Sequence, residues 1–201
     1  MMHETMHIGF IVNSLFNSVT YILSEPGKPE VWLVDCGDVE KLDTSKKVAG
    51  VLLTHTHFDH IYGLNRLLDR FPEAVVLTNR FGKGALTDAR LNLSHYHPES
   101  TPFVLSKPES VRELTEGSTL NLLGNDVRVL PAPGHDPSCL AFIIEDKLFT
   151  GDAFIPGEKL IMNFPRSDKA EAKASAQMLK ELGKTYTILP GHRTEATAQN
   201  T

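Results

Sequence analysis

The chain has 201 residues, a formal net charge of -5, 41% hydrophobic and 22% charged residues. That size suits one domain, 1–201, with a single large core, and the charge balance excludes a general attraction to nucleic acid. No apolar run approaches the ~18 residues that would span a bilayer.

The first ten residues, MMHETMHIGF, lack the basic start and long apolar segment of a secretory signal. The reading is a cytoplasmic protein. The 2 cysteines, Cys36 and Cys139, lie far apart. They are expected as buried thiols in a reducing compartment.

Strand-like runs come early, at 7–12, 18–23 and 31–35. The Pro/Gly turn EPGKP between the last two predicts a hairpin. Residues 48–54, VAGVLLT, are nearly all apolar and predict a strand buried on both faces. Asp59 is placed to cap a helix starting near His60, with Ile61, Leu64, Leu68 and Phe71 at helical spacing and Pro72 as its stop. A strand at 74–78 follows, then a short helix at 84–93 and a polar, Pro-containing loop at 94–110.

The second half repeats this logic. Strands are expected at 119–123, 126–132, 139–145 and 147–152, with a tight turn, EDK, between the last two. Residues 167–183 form the clearest helix, with Asp168 and Glu171 in a capping box and Gly183 as the stop. A last strand ends in Pro190-Gly191-His192. Strands and helices recurring in both halves predict helices outside a two-sheet core.

Chemistry gathers at strand ends. After the apolar run at 51–53, His55, His57, Asp59 and His60 fall within six residues. In extended backbone, residues two apart point the same way, so His55 and His57 can serve one ion. Asp59 and His60 lie where the chain turns, and can serve a second ion some ~3.5–4 Å away. His135, Asp152 and His192 each follow a strand through a Gly-containing turn. Leaving such groups unpaired at a buried strand end costs several kcal/mol each, and a cation removes that cost.

The stretches THTHFDH, PAPGHD, TGDAF and LPGHR resemble the signature motifs of the metallo-β-lactamase superfamily. The resemblance implies an α/β (α+β) fold, an αββα sandwich of two mixed β-sheets flanked by helices. It implies that His55, His57 and His135 hold a first ion, that Asp59, His60 and His192 hold a second, and that Asp152 bridges them. The implied cofactors are two divalent ions, zinc first, with iron or manganese as alternatives. Asp152 together with His60 resembles glyoxalase II and related hydrolases, whereas the β-lactamases usually carry Cys or Ser where Asp152 stands. Ser138 departs from the motif, in which Gly is usual.

The implied activity is hydrolysis of a small thioester or other activated ester by a metal-activated hydroxide, with Asp59 also orienting the nucleophile. Lactones and phosphodiesters are alternative substrates. A mononuclear iron persulfide dioxygenase and a non-catalytic metal-stabilised module are alternative functions. His95, Tyr96 and His97 are candidate lid contacts to substrate, and Asn163 and Arg166 are candidates near the expected cleft.

Overall fold

The computed structural model describes residues 6–43 and 45–194. Eleven strands form two mixed sheets among these residues. The first sheet contains β1 (His7–Val12), β2 (Val19–Ser24), β3 (Glu30–Val34), β4 (Lys47–Leu52), β5 (Val75–Thr78) and β6 (Val111–Glu113), side by side in that order. Its first three strands are antiparallel, including the expected hairpin β2–β3, and β3 to β6 run parallel. The second sheet contains β7 (Thr119–Leu122), β8 (Asn125–Pro131), β9 (Leu140–Ile144), β10 (Lys147–Gly151) and β11 (Thr187–Pro190). All its pairs are antiparallel except β10–β11.

The strand period explains the layers. On β9, Leu140, Phe142 and Ile144 face the inter-sheet core with Val19, Tyr21, Leu23 and Leu52. Ala141 and Ile143 face the other way, onto a cluster with Leu179 of α3 (Lys169–Leu182). All five β9 residues are buried, which is why the run reads as continuously apolar. On the far side of the first sheet, Val48, Val51 and Val76 pack with Leu64, Leu67 and Leu68 of α1 (Leu64–Arg70). The order is helix, sheet, sheet, helix, as expected.

Three local expectations differ. Asp59 caps no helix: Phe58–His60 is one 3-10 turn, and α1 starts at Leu64 after Gly63, without a side-chain cap. The Asp59 carboxylate is turned toward His60 and His192 instead. The helix expected at 84–93 lies earlier, as α2 (Arg80–Ala85), where Asn79 accepts from the Gly82 amide. Asp88 Oδ1 accepts from the amides of Arg90 and Leu91, and this local turn competes with helix beyond Ala85. Strand β6 was not expected, because three residues carry too little periodicity. In α3, Asp168 Oδ1 caps the amides of Ala170 and Glu171. The reciprocal half of the box is not made, since the Asp168 amide donates to Gly134 O.

Candidate metal centre

Strands β8, β10 and β11 run in one direction, because β8 and β10 are both antiparallel to β9 and β11 is parallel to β10. Their C-terminal ends therefore share one edge, and His135, Asp152 and His192 follow there. The end of β4 joins that edge through the Leu140 amide, which donates to Thr54 O at 2.7 Å. Val19 N donates to Gly191 O at 2.8 Å and ties in the start of β2.

Glycines allow the close approach. Gly134, at φ +121°, packs against α3 so tightly that a Cβ would collide with the backbone of Ala172. A Cβ on Gly191 would collide with the Asp152 carboxylate.

All seven expected ligand residues converge. Donor atoms of His55, His57 and His135 lie within 4.8 Å of one another, as do those of Asp59, His60 and His192. Asp152 forms a third such group with His55 and His60, one residue from each set. Its Oδ2 lies 3.7 Å from His135 Nε2 and 3.2 Å from His192 Nε2, and its Oδ1 lies 3.5 Å from His60 Nε2. Asp59 Oδ2 is 3.4 Å from His60 Nε2 and 3.2 Å from His192 Nε2.

The outer ring nitrogens set the tautomers. His135 Nδ1 donates to Ile161 O at 2.8 Å, His192 Nδ1 to Phe16 O at 2.9 Å, and His60 Nδ1 to Asp35 Oδ2 at 2.9 Å. His55 Nδ1 lies 3.2 Å from Thr54 Oγ1, a hydroxyl that itself donates to Asp35 Oδ2. These four rings point Nε2 inward. His57 is reversed: Nδ1 faces inward and Nε2 faces Asp136 Oδ2 at 3.4 Å.

With every ring neutral in these tautomers, the inner nitrogens meet without hydrogens to share. His57 Nδ1 is 3.0 Å from His135 Nε2, and His60 Nε2 is 3.2 Å from His192 Nε2. His55 Nε2 and Asp152 Oδ1 are buried with no hydrogen-bond partner. Neutral rings in these tautomers would oppose lone pairs, a cost that protons or a cation must remove. A donor set of imidazole and carboxylate fits a divalent transition ion.

Charge follows geometry. Burial disfavours imidazolium at His192, yet hydrogen bonds to Asp152 and Asp59 outweigh it and raise its pKa to about 10. Burial also opposes His60, which Asp59, Asp152 and Asp35 together push well up. Burial, then the neighbouring rings of His60 and His57, push His55 well down. Burial would raise Asp152, but His60 and His192 hold it well below the usual carboxylate range. Asp59 is held low by the same two rings against the same burial.

Two further acids were not anticipated. Asp35, at φ +61°, is buried behind His60 and accepts from the Thr54 amide, the Thr54 hydroxyl and His60. Asp136 is buried behind His57, its Oδ1 held by the amide and hydroxyl of Ser138. Ser138 Oγ also accepts from the amide and hydroxyl of Thr56, so the departure from Gly anchors the residue between His55 and His57. The signals were an acid closing the apolar run VWLVD and an acid directly after His135.

Of the substrate candidates, His97 sits between the rings of Phe16 and Phe58, at 5.5 and 5.3 Å. His95 and Tyr96 are exposed and pack on each other, and Asn163 is exposed. Arg166 turns inward: its Nη2 donates to Leu91 O, its guanidinium lies over the Phe81 ring, and Nε is 3.8 Å from Asp136. Cys36 and Cys139 are free and buried, as expected.

Residues 24–192 match the family described as the metallo-beta-lactamase superfamily. The chain belongs to that superfamily. It is 23% identical over 151 residues to a hydroxyacylglutathione hydrolase of Pseudoalteromonas translucida, covering 73% of this chain and 50% of that one. It is 28% identical over 184 residues to a probable metallo-hydrolase of Streptococcus pyogenes, covering 89% and 76%. The chain spans about half the length of the hydroxyacylglutathione hydrolases of Pseudoalteromonas and Shewanella that it matches. Among solved structures it resembles BLEG-1, a B3 metallo-beta-lactamase, at TM-score 0.81 and 25% identity, covering 94% of this chain and 92% of that one. A Sulfolobus tokodaii superfamily protein shares the fold at TM-score 0.73 and 22% identity, over 98% and 86%. Among the described residues, no helix is long and apolar enough to cross a membrane.

Proposed function

We propose that the chain is a metal-dependent hydrolase of small thioesters or other activated esters, with two divalent ions at the strand-end cluster. One observation carries this reading: inward-turned ring nitrogens lie face to face in two separate places, His57 against His135 and His60 against His192. His55, His57 and His135 would hold one ion, Asp59, His60 and His192 the other, and Asp152 would touch both. Bound there, divalent ions supply Lewis acidity for a carbonyl and bring the pKa of a water down from 15.7 towards ~7.

The chain's own residues do the rest. Asp35, Asp136, Thr54 and the carbonyls of Phe16 and Ile161 fix which nitrogen of each ring faces inward. Asp59 carries one oxygen toward His60 and His192 and is held as a carboxylate. It can accept the proton of an attacking water and orient its lone pair toward the acyl carbon. No Ser or Cys nucleophile is needed, consistent with both thiols being buried. The relatives named hydroxyacylglutathione hydrolase support thioester chemistry, and the full second set of donors supports two ions over one.

Elemental analysis of freshly purified protein, followed by a panel of thioesters, lactones, phosphodiesters and a β-lactam, tests the reading. Two zinc-like ions and thioester turnover are expected. One iron per chain with oxygen uptake would replace it with a dioxygenase. Failure on the whole panel with both ions loaded would leave a metal-stabilised module.

A further inference from the structure

We infer that the substrate of this site carries an apolar acyl group, held on a ledge formed by Phe16 with His97 on one side of the cluster and by Ile161 with Phe164 on the other. The inference rests on the hydrolase reading above and narrows its substrate class.

Phe16 and Ile161 are the residues whose carbonyls receive the outer nitrogens of His192 and His135. Each therefore sits directly behind one ligand ring, and the two belong to different donor sets. Both side chains are exposed, Phe16 at 60% and Ile161 at 41%. Few large apolar side chains among the described residues are so open, and these two flank the same cluster. From Phe16 the row continues through His97 to Phe58, which stands between His57 and Asp59 in the chain. Across the cluster, the Phe164 ring lies 4.6 Å from that of His57 and 5.3 Å from that of His135.

The residue type at the turn between β1 and β2 supplies a second sign. Phe16 and Asn17 are both left-handed, at φ 53° and 55°. Gly or Asn fills such positions at low cost, and a bulky residue does not. Phe16 thus combines a strained backbone with an apolar ring left in water. The hairpin turn from Leu15 to Ser18, closed by the Ser18 amide donating to Leu15 O, takes left-handed backbone at both central residues, so the turn accounts for the conformation but not for a bulky apolar residue placed there. Arg166 does not offset the apolar character, because its guanidinium is committed to Leu91, Phe81 and Asp136.

The test uses zinc-loaded full-length protein and acetyl, butyryl, hexanoyl and octanoyl thioesters of N-acetylcysteamine, a small neutral thiol. Expected is a rise in kcat/KM of about two- to fourfold per methylene, the range for partial to full burial. Phe16→Asn, which suits the left-handed backbone, and Ile161→Ser should each flatten that rise, while Val104→Ser, at an exposed residue outside the ledge, should leave the profile unchanged. Equilibrium binding of the octanoyl thioether, which cannot be hydrolysed, should weaken in Phe16→Asn and Ile161→Ser in parallel. A profile flat with chain length, or a preference for short hydroxyacyl thioesters, overturns the inference and leaves the hydrolase reading standing. Thioether binding that depends on Phe16 without turnover of any thioester supports the apolar ledge and removes the thioester chemistry. Absence of thioether binding overturns the ledge.

Discussion

Nε2 of His57 faces Oδ2 of Asp136 at 3.4 Å, and Nε of Arg166 approaches the same oxygen at 3.8 Å. All three atoms are buried and make no hydrogen bond, so these ion-pair contacts are what they have. The carboxylate thus stands behind the one ring that turns Nδ1 inward, and the arginine ties it to the loop before α3.

Removing that carboxylate should free the His57 ring. Asp136→Ala is expected to weaken zinc binding by about 10–100-fold, the usual effect of losing a group that orients a ligand. Asp136→Asn keeps an acceptor and should fall between. Competition against a chromophoric chelator measures it, with circular dichroism confirming the fold. Unchanged affinity in Asp136→Ala would show that His57 is oriented by something else.

Asp152 has an oxygen near each donor set, so its loss should affect both ions. Asp152→Ala is expected to retain less than one ion per chain and to lose thioester turnover. Full turnover with two ions retained would remove its bridging role.

Metal-free protein should lose stability as pH rises. His192 is raised from 6.5 to about 10 and His60 is raised in the same sense, so the folded state holds protons that the unfolded chain releases. That stabilisation is complete below about pH 6.5 and declines as pH rises toward 10. Thermal melts of metal-free protein should therefore show Tm falling from pH 7 to 9, with the loaded protein flatter. Ion binding at pH 7.5 should expel about one proton or more, read by calorimetry in buffers of different ionisation enthalpy. A flat metal-free profile would mean the inner nitrogens are unprotonated at neutral pH.

Gly134→Ala should strain the turn before His135, because φ is +121° and the new Cβ meets the Ala172 backbone. A cost of about 1–3 kcal/mol is expected, a fall in Tm of roughly 2–12 °C for a chain of this size. Gly84→Ala, in α2 with nothing within 4 Å, should be neutral or slightly stabilising. Equal effects at the two positions would count against the packing account of the Pro-Gly-His turn.

Much of the molecule is written in local pattern. The unbroken apolar run in 140–144, the apolar run ending at His55 and the capped helix before Gly183 each act over a few residues, so the strands, α3 and the seven candidate ligands can be read directly. Short-range competition hid the rest. Asp88 turns the chain where Leu spacing suggests helix, and Asp59 looks like a cap because nothing nearby reveals that its carboxylate faces His192, far along the chain.

Residue order alone therefore determined the layers, the strand ends that carry chemistry and the residue types gathered there. Tertiary structure decided which nitrogen of each ring faces inward, that Asp35 and Asp136 stand behind His60 and His57, and that Arg166 is held by Leu91, Phe81 and Asp136. Strand pattern is set by neighbours two residues apart. Tautomer and orientation are set by whichever oxygen the fold delivers from a distant segment.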